Sequence, residues 1–144
     1  MLFLVLITIK FWNLDTHAID LDLRKHSNWV NCLLQPKQSK NILISGSSDK
    51  SIKIFNLQEN TAEEKKMIEV ESSVEQLCDL GNEIFAANSG DSIKIFSLDN
   101  FSEVQNIEGA HSSIIGLSLF GNFICERITV KTYFLLFLYQ ILII

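Results

Sequence analysis

Ser51-Ile52-Lys53-Ile54-Phe55-Asn56-Leu57 is written again as Ser92-Ile93-Lys94-Ile95-Phe96-Ser97-Leu98, and in looser form as Thr8-Ile9-Lys10-Phe11-Trp12-Asn13-Leu14. The matched isoleucines, Ile9, Ile52 and Ile93, stand 43 and 41 residues apart. Within the phrase the residues alternate: Ile52 and Ile54 point one way, Lys53 and Phe55 the other, which is the period of a strand. A strand phrase recurring every 40 to 45 residues, roughly, marks a repeat array in which each unit is one small sheet.

Working outward from residues 51–57, each repeat predicts four short strands joined by turns. In the first full copy, residues 29–34 form an apolar run. Gln35-Pro36-Lys37-Gln38-Ser39 follows as a turn, because proline cannot serve a central strand. Residues 41–45 make a second run, and Ser47-Ser48-Asp49-Lys50 a polar turn into the phrase. Residues 58–66 read as an acidic and polar connection to a fourth strand at 67–70. The second copy predicts strands at 74–80, 84–87, 92–98 and 104–107, with Gly81-Asn82 and Ser89-Gly90-Asp91 at turns that favour positive φ. A third begins at His111, with strands at 114–120 and 123–125. Beyond Cys125 the pattern degrades, although Thr129-Val130-Lys131-Thr132-Tyr133 echoes the phrase. No window is convincing as a helix, so the predicted class is all-β.

Composition narrows the function classes. The 144 residues carry 47% apolar and 20% charged side chains, a globular balance, and a net charge of −5. That charge argues against a nucleic-acid partner, which would be met by a basic patch. The pair Lys65-Lys66 beside Glu63-Glu64 reads as a solvated loop or strand edge. Cys32, Cys78 and Cys125 follow the repeat spacing and lie in apolar strand runs, which predicts small buried hydrophobes in a cytoplasmic or nuclear protein. The apolar start at residues 1–7 lacks the basic flank and cleavage site of a signal peptide. Residues 133–144 are almost unbroken apolar sequence, yet shorter than the roughly 20 residues of a membrane-spanning helix. They read as a weak tail anchor or as the end of a truncated chain.

These residues resemble the WD40 repeat of β-propellers, the family that includes the β subunit of heterotrimeric G proteins. Residues 43–55, Leu-Ile-Ser-Gly-Ser-Ser-Asp-Lys-Ser-Ile-Lys-Ile-Phe, are close to the family consensus. His26-Ser27-Asn28-Trp29-Val30 is similar to its Gly-His opening, with Lys25 in place of Gly, and Trp12-Asn13 stands for the Trp-Asp pair. The resemblance covers residues 8–125. It implies an array over 1–125, with full blades at about 26–70 and 71–108, partial blades at 1–25 and 109–125, and an apolar non-repeat tail at 126–144.

It also implies that His26, Ser45 and Asp49 form a structural hydrogen-bond network. Phe55 replaces the tryptophan that would complete it, so at most three members are expected. Ala86 and Gly90 stand where Ser45 and Asp49 do, and His111 survives without its aspartate, so the other blades should lack the network. A propeller closes with about 4 to 8 blades; this chain carries two full ones. A fragment of a larger ring, prone to self-association or to acquiring missing blades from a partner, is the expectation.

Three function classes compete. A non-catalytic scaffold binding other proteins is what the resemblance implies, with Asn28, Trp29, Ser48 and Ser89 near the usual binding face and no cofactor. An enzyme is disfavoured, because His17, His26 and His111 lack metal-ligand spacing and no Gly-rich phosphate loop is present. A Ser-His-Asp hydrolase built on Ser45, His26 and Asp49 ranks below the structural role. A membrane-associated member held by the C-terminal tail is the alternative. Against it, the paired arginines of the lipid-binding propellers are absent, Arg24 and Arg127 being isolated.

Overall fold

The computed structural model describes residues 7–59, 61–108, 114–120, 123–128 and 136–140. Among them there is no helix. The strands form four antiparallel sheets, each pairing only sequence neighbours. The first holds β1 (Ile9–Trp12) and β2 (Ile19–Leu23). The second holds β3 (Val30–Leu34), β4 (Ile42–Ser47), β5 (Ser51–Gln58) and β6 (Thr61–Glu69). The third holds β7 (Leu77–Gly81), β8 (Ile84–Ser89), β9 (Ser92–Ser97) and β10 (Glu103–Glu108). The fourth holds β11 (Ile114–Phe120), β12 (Phe123–Ile128) and β13 (Leu136–Gln140). The leading strands β3, β7 and β11 lie beside one another from sheet to sheet.

Period-two alternation explains how the sheets stack. On the second sheet Leu43 and Phe55 face the first, packing with Ile9 and Leu23. Their neighbours Ile44, Ile52 and Ile54 face the third, against Phe85, Ala87 and Phe96. The third sheet repeats the device, sending Ala86, Ile93 and Ile95 towards Leu117 and Ile124 of the fourth. Both faces of the two middle sheets are thus covered, and each fully buried isoleucine or phenylalanine contributes about 1.5–3 kcal/mol. Phe85 and Phe96, cross-strand partners, stack with centroids 5.3 Å apart.

The repeats share finer detail. Pairing skips Lys65 on β6 and Val104 on β10, a bulge at the same place in both sheets. It sets Glu64 and Glu103 each opposite the phrase phenylalanine. Both then reach the phrase lysine at the same distance: Lys53–Glu64 and Lys94–Glu103 are each 3.1 Å. The last phrase leucines also match, with Leu57 N–H donating to Asn41 C=O and Leu98 N–H to Glu83 C=O, both at 2.7 Å.

Three sequence expectations are corrected. The outer strand β6 starts at Thr61, not 67, so the polar stretch read as a connection is strand. An outermost strand has one edge and most side chains in water, so it needs no apolar alternation, and Glu63 to Met67 are all exposed. In the second copy, residues 74–76 precede β7 instead of opening it. Val74 N–H donates to Ser47 C=O of the second sheet (3.0 Å), while the amides of Glu75 and Gln76 are taken by the Asn88 side chain at 2.9 and 2.7 Å. The boundary drawn at 125 falls inside β12, and β13, within the apolar tail, pairs antiparallel with it. The echo of the phrase at 129–133 and His111 lie outside the described residues.

Candidate functional site

The segment linking β2 to β3 and the turn joining β4 to β5 meet at one end of the second sheet. There His26 Nδ1 donates to Asp49 Oδ2 (2.8 Å), and Nε2 accepts from the Ser45 hydroxyl (2.7 Å). The cluster also includes a group that the sequence alone did not reveal. The Ser51 hydroxyl donates to Asp49 Oδ1 (2.6 Å) and lies 3.2 Å from His26 Nδ1. Ser27 N–H and Ser51 N–H, each at 3.0 Å, complete the carboxylate shell. The network therefore exceeds the three members expected. Its clue was in the spacing, because a residue two after an Asp in a turn is where an Asx-turn places the amide. Phe55 lies fully in the core.

The electrostatics follow from burial. Removing His26 from water is the largest influence on it and lowers its pKa below 6.5, outweighing the Asp49 carboxylate that raises it. The imidazole is therefore neutral at pH 7, with its proton on Nδ1. Burial also acts on Asp49, raising its pKa, but the hydrogen bonds from Ser51, Ser27 and His26 overcome it and hold the carboxyl down at about 2. On the third sheet the phrase lysine gains a second carboxylate. Lys94, 6% exposed, sits between Glu103 (3.1 Å) and Glu71 (3.4 Å). Desolvation lowers its pKa, and the two carboxylates more than reverse the effect.

A second polar knot joins the two middle sheets. The Asn31 side-chain amide donates to Ser48 Oγ (2.9 Å), Ser73 Oγ (3.2 Å) and Val74 C=O (3.0 Å). Asn31 is the residue that the β3–β4 pairing skips, so the bulge aims it at the neighbouring sheet. Gly46 adjoins this knot: a Cβ there would stand 2.5 Å from Val74 Cγ1 and 2.6 Å from Cys32 Sγ. Burial pushes the Cys32 thiol up to about 12, so it packs as an uncharged group.

Of the four residues expected on a binding face, Asn28 and Trp29 are exposed, Trp29 by 54%. Ser48 and Ser89 require correction. Ser48 is half-buried and takes part in the Asn31 knot. Ser89 is buried, its hydroxyl accepting from Ser72 N–H at 3.1 Å. Both serines fasten the segment that enters the third sheet, which alternation alone could not reveal.

Among the described residues no cluster of His, Cys, Asp or Glu is arranged to hold a metal ion, and no helix is long and apolar enough to cross a membrane. Compared with models of known families and with curated proteins, the chain matches none.

Proposed function

We propose that the chain is a set of WD40-type blades within a β-propeller, acting as a non-catalytic scaffold that binds other proteins in the cytoplasm or nucleus. What carries this reading is the locking of the 26–29 loop to the 47–51 turn. Asp49 ties Ser27 to Ser51, and Trp29 C=O accepts from Ser48 N–H at 2.8 Å. Loops held in this way present exposed Asn28 and Trp29 without an ordering cost at binding, as rigid recognition surfaces do. Trp29 is the anchor by residue type and exposure.

Ser45, His26 and Asp49 have the distances of a hydrolase triad, and this gives the enzyme reading its best footing. A nucleophile must touch its substrate, however, and Ser45 has no exposed surface while His26 has 5%. Their bonds are better explained as ties between loop, strand and turn. The membrane-anchored alternative draws on the apolar tail, five of whose residues are β13, paired in the fourth sheet.

The test has two arms. Proteins retained by the intact chain and lost with Trp29→Ala, at an unchanged melting temperature, are the expected result. Hydrolysis of an ester or peptide panel that disappears in a folded Ser45→Ala variant would overturn the scaffold reading.

A further inference from the structure

Where the first sheet packs on the second, an open hollow of about 240 Å³ is lined by Trp12 and Asp20 from one sheet and by Leu57 and Glu59 from the other. Trp12 is 59% exposed, and Phe11 and Leu21 add half-buried apolar surface beside it. Among the described residues no lysine, arginine or histidine lines this hollow, and neither Asp20 nor Glu59 enters an ion pair. The Asn13 side-chain amide donates to Asp20 Oδ2 at 3.1 Å, a neutral bond that orients the carboxylate and leaves its charge in place. The wall thus combines an exposed aromatic ring with two carboxylates that no cation of the wall balances.

The next junction between sheets shows what such a niche holds. Pairing of β1 with β2 skips Asp20, which places it at the same bulge as Lys65 on β6 and Val104 on β10. Between the second and third sheets, Lys65 carries its ammonium over the ring of Phe101, 5.2 Å from the centroid. Its neighbour Lys66 donates to Asn100 C=O, in the same turn, at 3.3 Å. Between the first and second sheets those two positions are Asp20 and Leu21, and the aromatic ring is that of Trp12. At one junction the chain brings its own cation to an aromatic ring. At the other it presents the ring and the counter-charges.

We infer that this hollow receives a lysine or arginine side chain of a partner protein, its cation held between Asp20 and Glu59 and against the ring of Trp12. The inference rests on the scaffold reading for the partner being a protein. The carboxylates steer the cation in, and the ring adds a contact that a cation makes better than a neutral apolar group does. An acidic segment would be repelled by the same two charges.

Fluorescein-labelled Gly-Ser peptides carrying three lysines, three arginines or three glutamates would be titrated into the full chain by anisotropy. Salt at about 0.15 M screens charges more than about 8 Å apart. Either basic peptide should bind, and the glutamate peptide about tenfold more weakly or not at all. Asp20→Asn with Glu59→Gln should weaken the basic peptides about tenfold, and Trp12→Leu about fivefold. Asp91→Asn with Glu108→Gln makes the same change of net charge on the third sheet and should alter affinity less than about twofold. Asp20 and Glu59 are exposed, so their near-isosteric replacement should leave the melting temperature unchanged. Glu59→Gln alone, with a loss of about threefold, keeps the test open if the double variant misfolds. Equal losses in both double variants, full affinity after Trp12→Leu, or no binding of the basic peptides by the intact chain would overturn the inference. Displacement of a bound peptide by an equal concentration of free lysine amide would also overturn it, because the site would then be one for small cations. In each case the scaffold reading would be left to its own test at Trp29.

Discussion

Replacing Asp49 with alanine removes the acceptor of four donors at once: His26 Nδ1, Ser27 N, Ser51 N and Ser51 Oγ. The size of the effect can be reached by two routes. Holding the carboxyl at about 2 against an ordinary 3.8 corresponds to about 2 kcal/mol at neutral pH. Independently, buried donors left without a partner cost about 1–3 kcal/mol, and the Asp49 side chain is only 7% exposed. His26 regains part of its loss through Ser51 Oγ, 3.2 Å away. A destabilisation of about 2 kcal/mol is expected, a fall of roughly 5–10 °C in melting temperature for a chain of this length.

The pH dependence gives a second check. The folded pKa of Asp49 is depressed, so its contribution is complete above about pH 4 and disappears as pH falls from 3.8 towards 2. Thermal unfolding followed by circular dichroism at pH 7 and at pH 3 should show the gap between parent and variant narrowing on acidification. A variant within about 0.5 kcal/mol of the parent at pH 7, the range of an ordinary surface change, would refute the reasoning.

Four further outcomes are expected. Gly46→Ala should destabilise by about 1–3 kcal/mol, because its methyl group would meet Val74 and Cys32 inside 3 Å; an unchanged chemical-denaturation midpoint would contradict that. Burial lowers the folded pKa of His26, so its contribution is present above 6.5 and lost as pH falls below that value. The decline between pH 7 and 5 should be shallower in His26→Gln. Lys94 titrates the other way: its raised pKa gives a contribution complete below 10.5 and lost as pH rises beyond it, and Lys94→Met should flatten the alkaline limb of a melting-temperature profile. Because Trp12, Leu14 and Ile19 are 59%, 87% and 43% exposed, the 144-residue chain should self-associate, and light scattering showing a dilute monomer at all concentrations would refute this.

What the sequence determined by itself is whatever period and local chemistry control. The phrase at residues 51–57 and 92–98 specified strand, face and repeat length, because alternation leaves one arrangement that buries Ile52, Ile54 and Phe55 together. The spacing of His26, Ser45 and Asp49, read through the WD40 resemblance, pointed to a cluster whose members do meet. The polar outer strand β6 was illegible, since its pairing is made by backbone groups and most of its side chains face water. Ser51, Asn31 and Ser48 were equally hidden, each polar residue reading as solvated until a bulge or turn set it against a partner. The second carboxylate on the phrase lysine of the third sheet, Glu71, which Lys53 of the second sheet lacks among the described residues, was also a tertiary decision. Glu71 and Glu103 lie 23 and 9 residues from Lys94 on either side, and only the packing of linker and bulge brings three charges to one point. That convergence satisfies the buried ammonium, a demand that exists only once the sheets have stacked and excluded water.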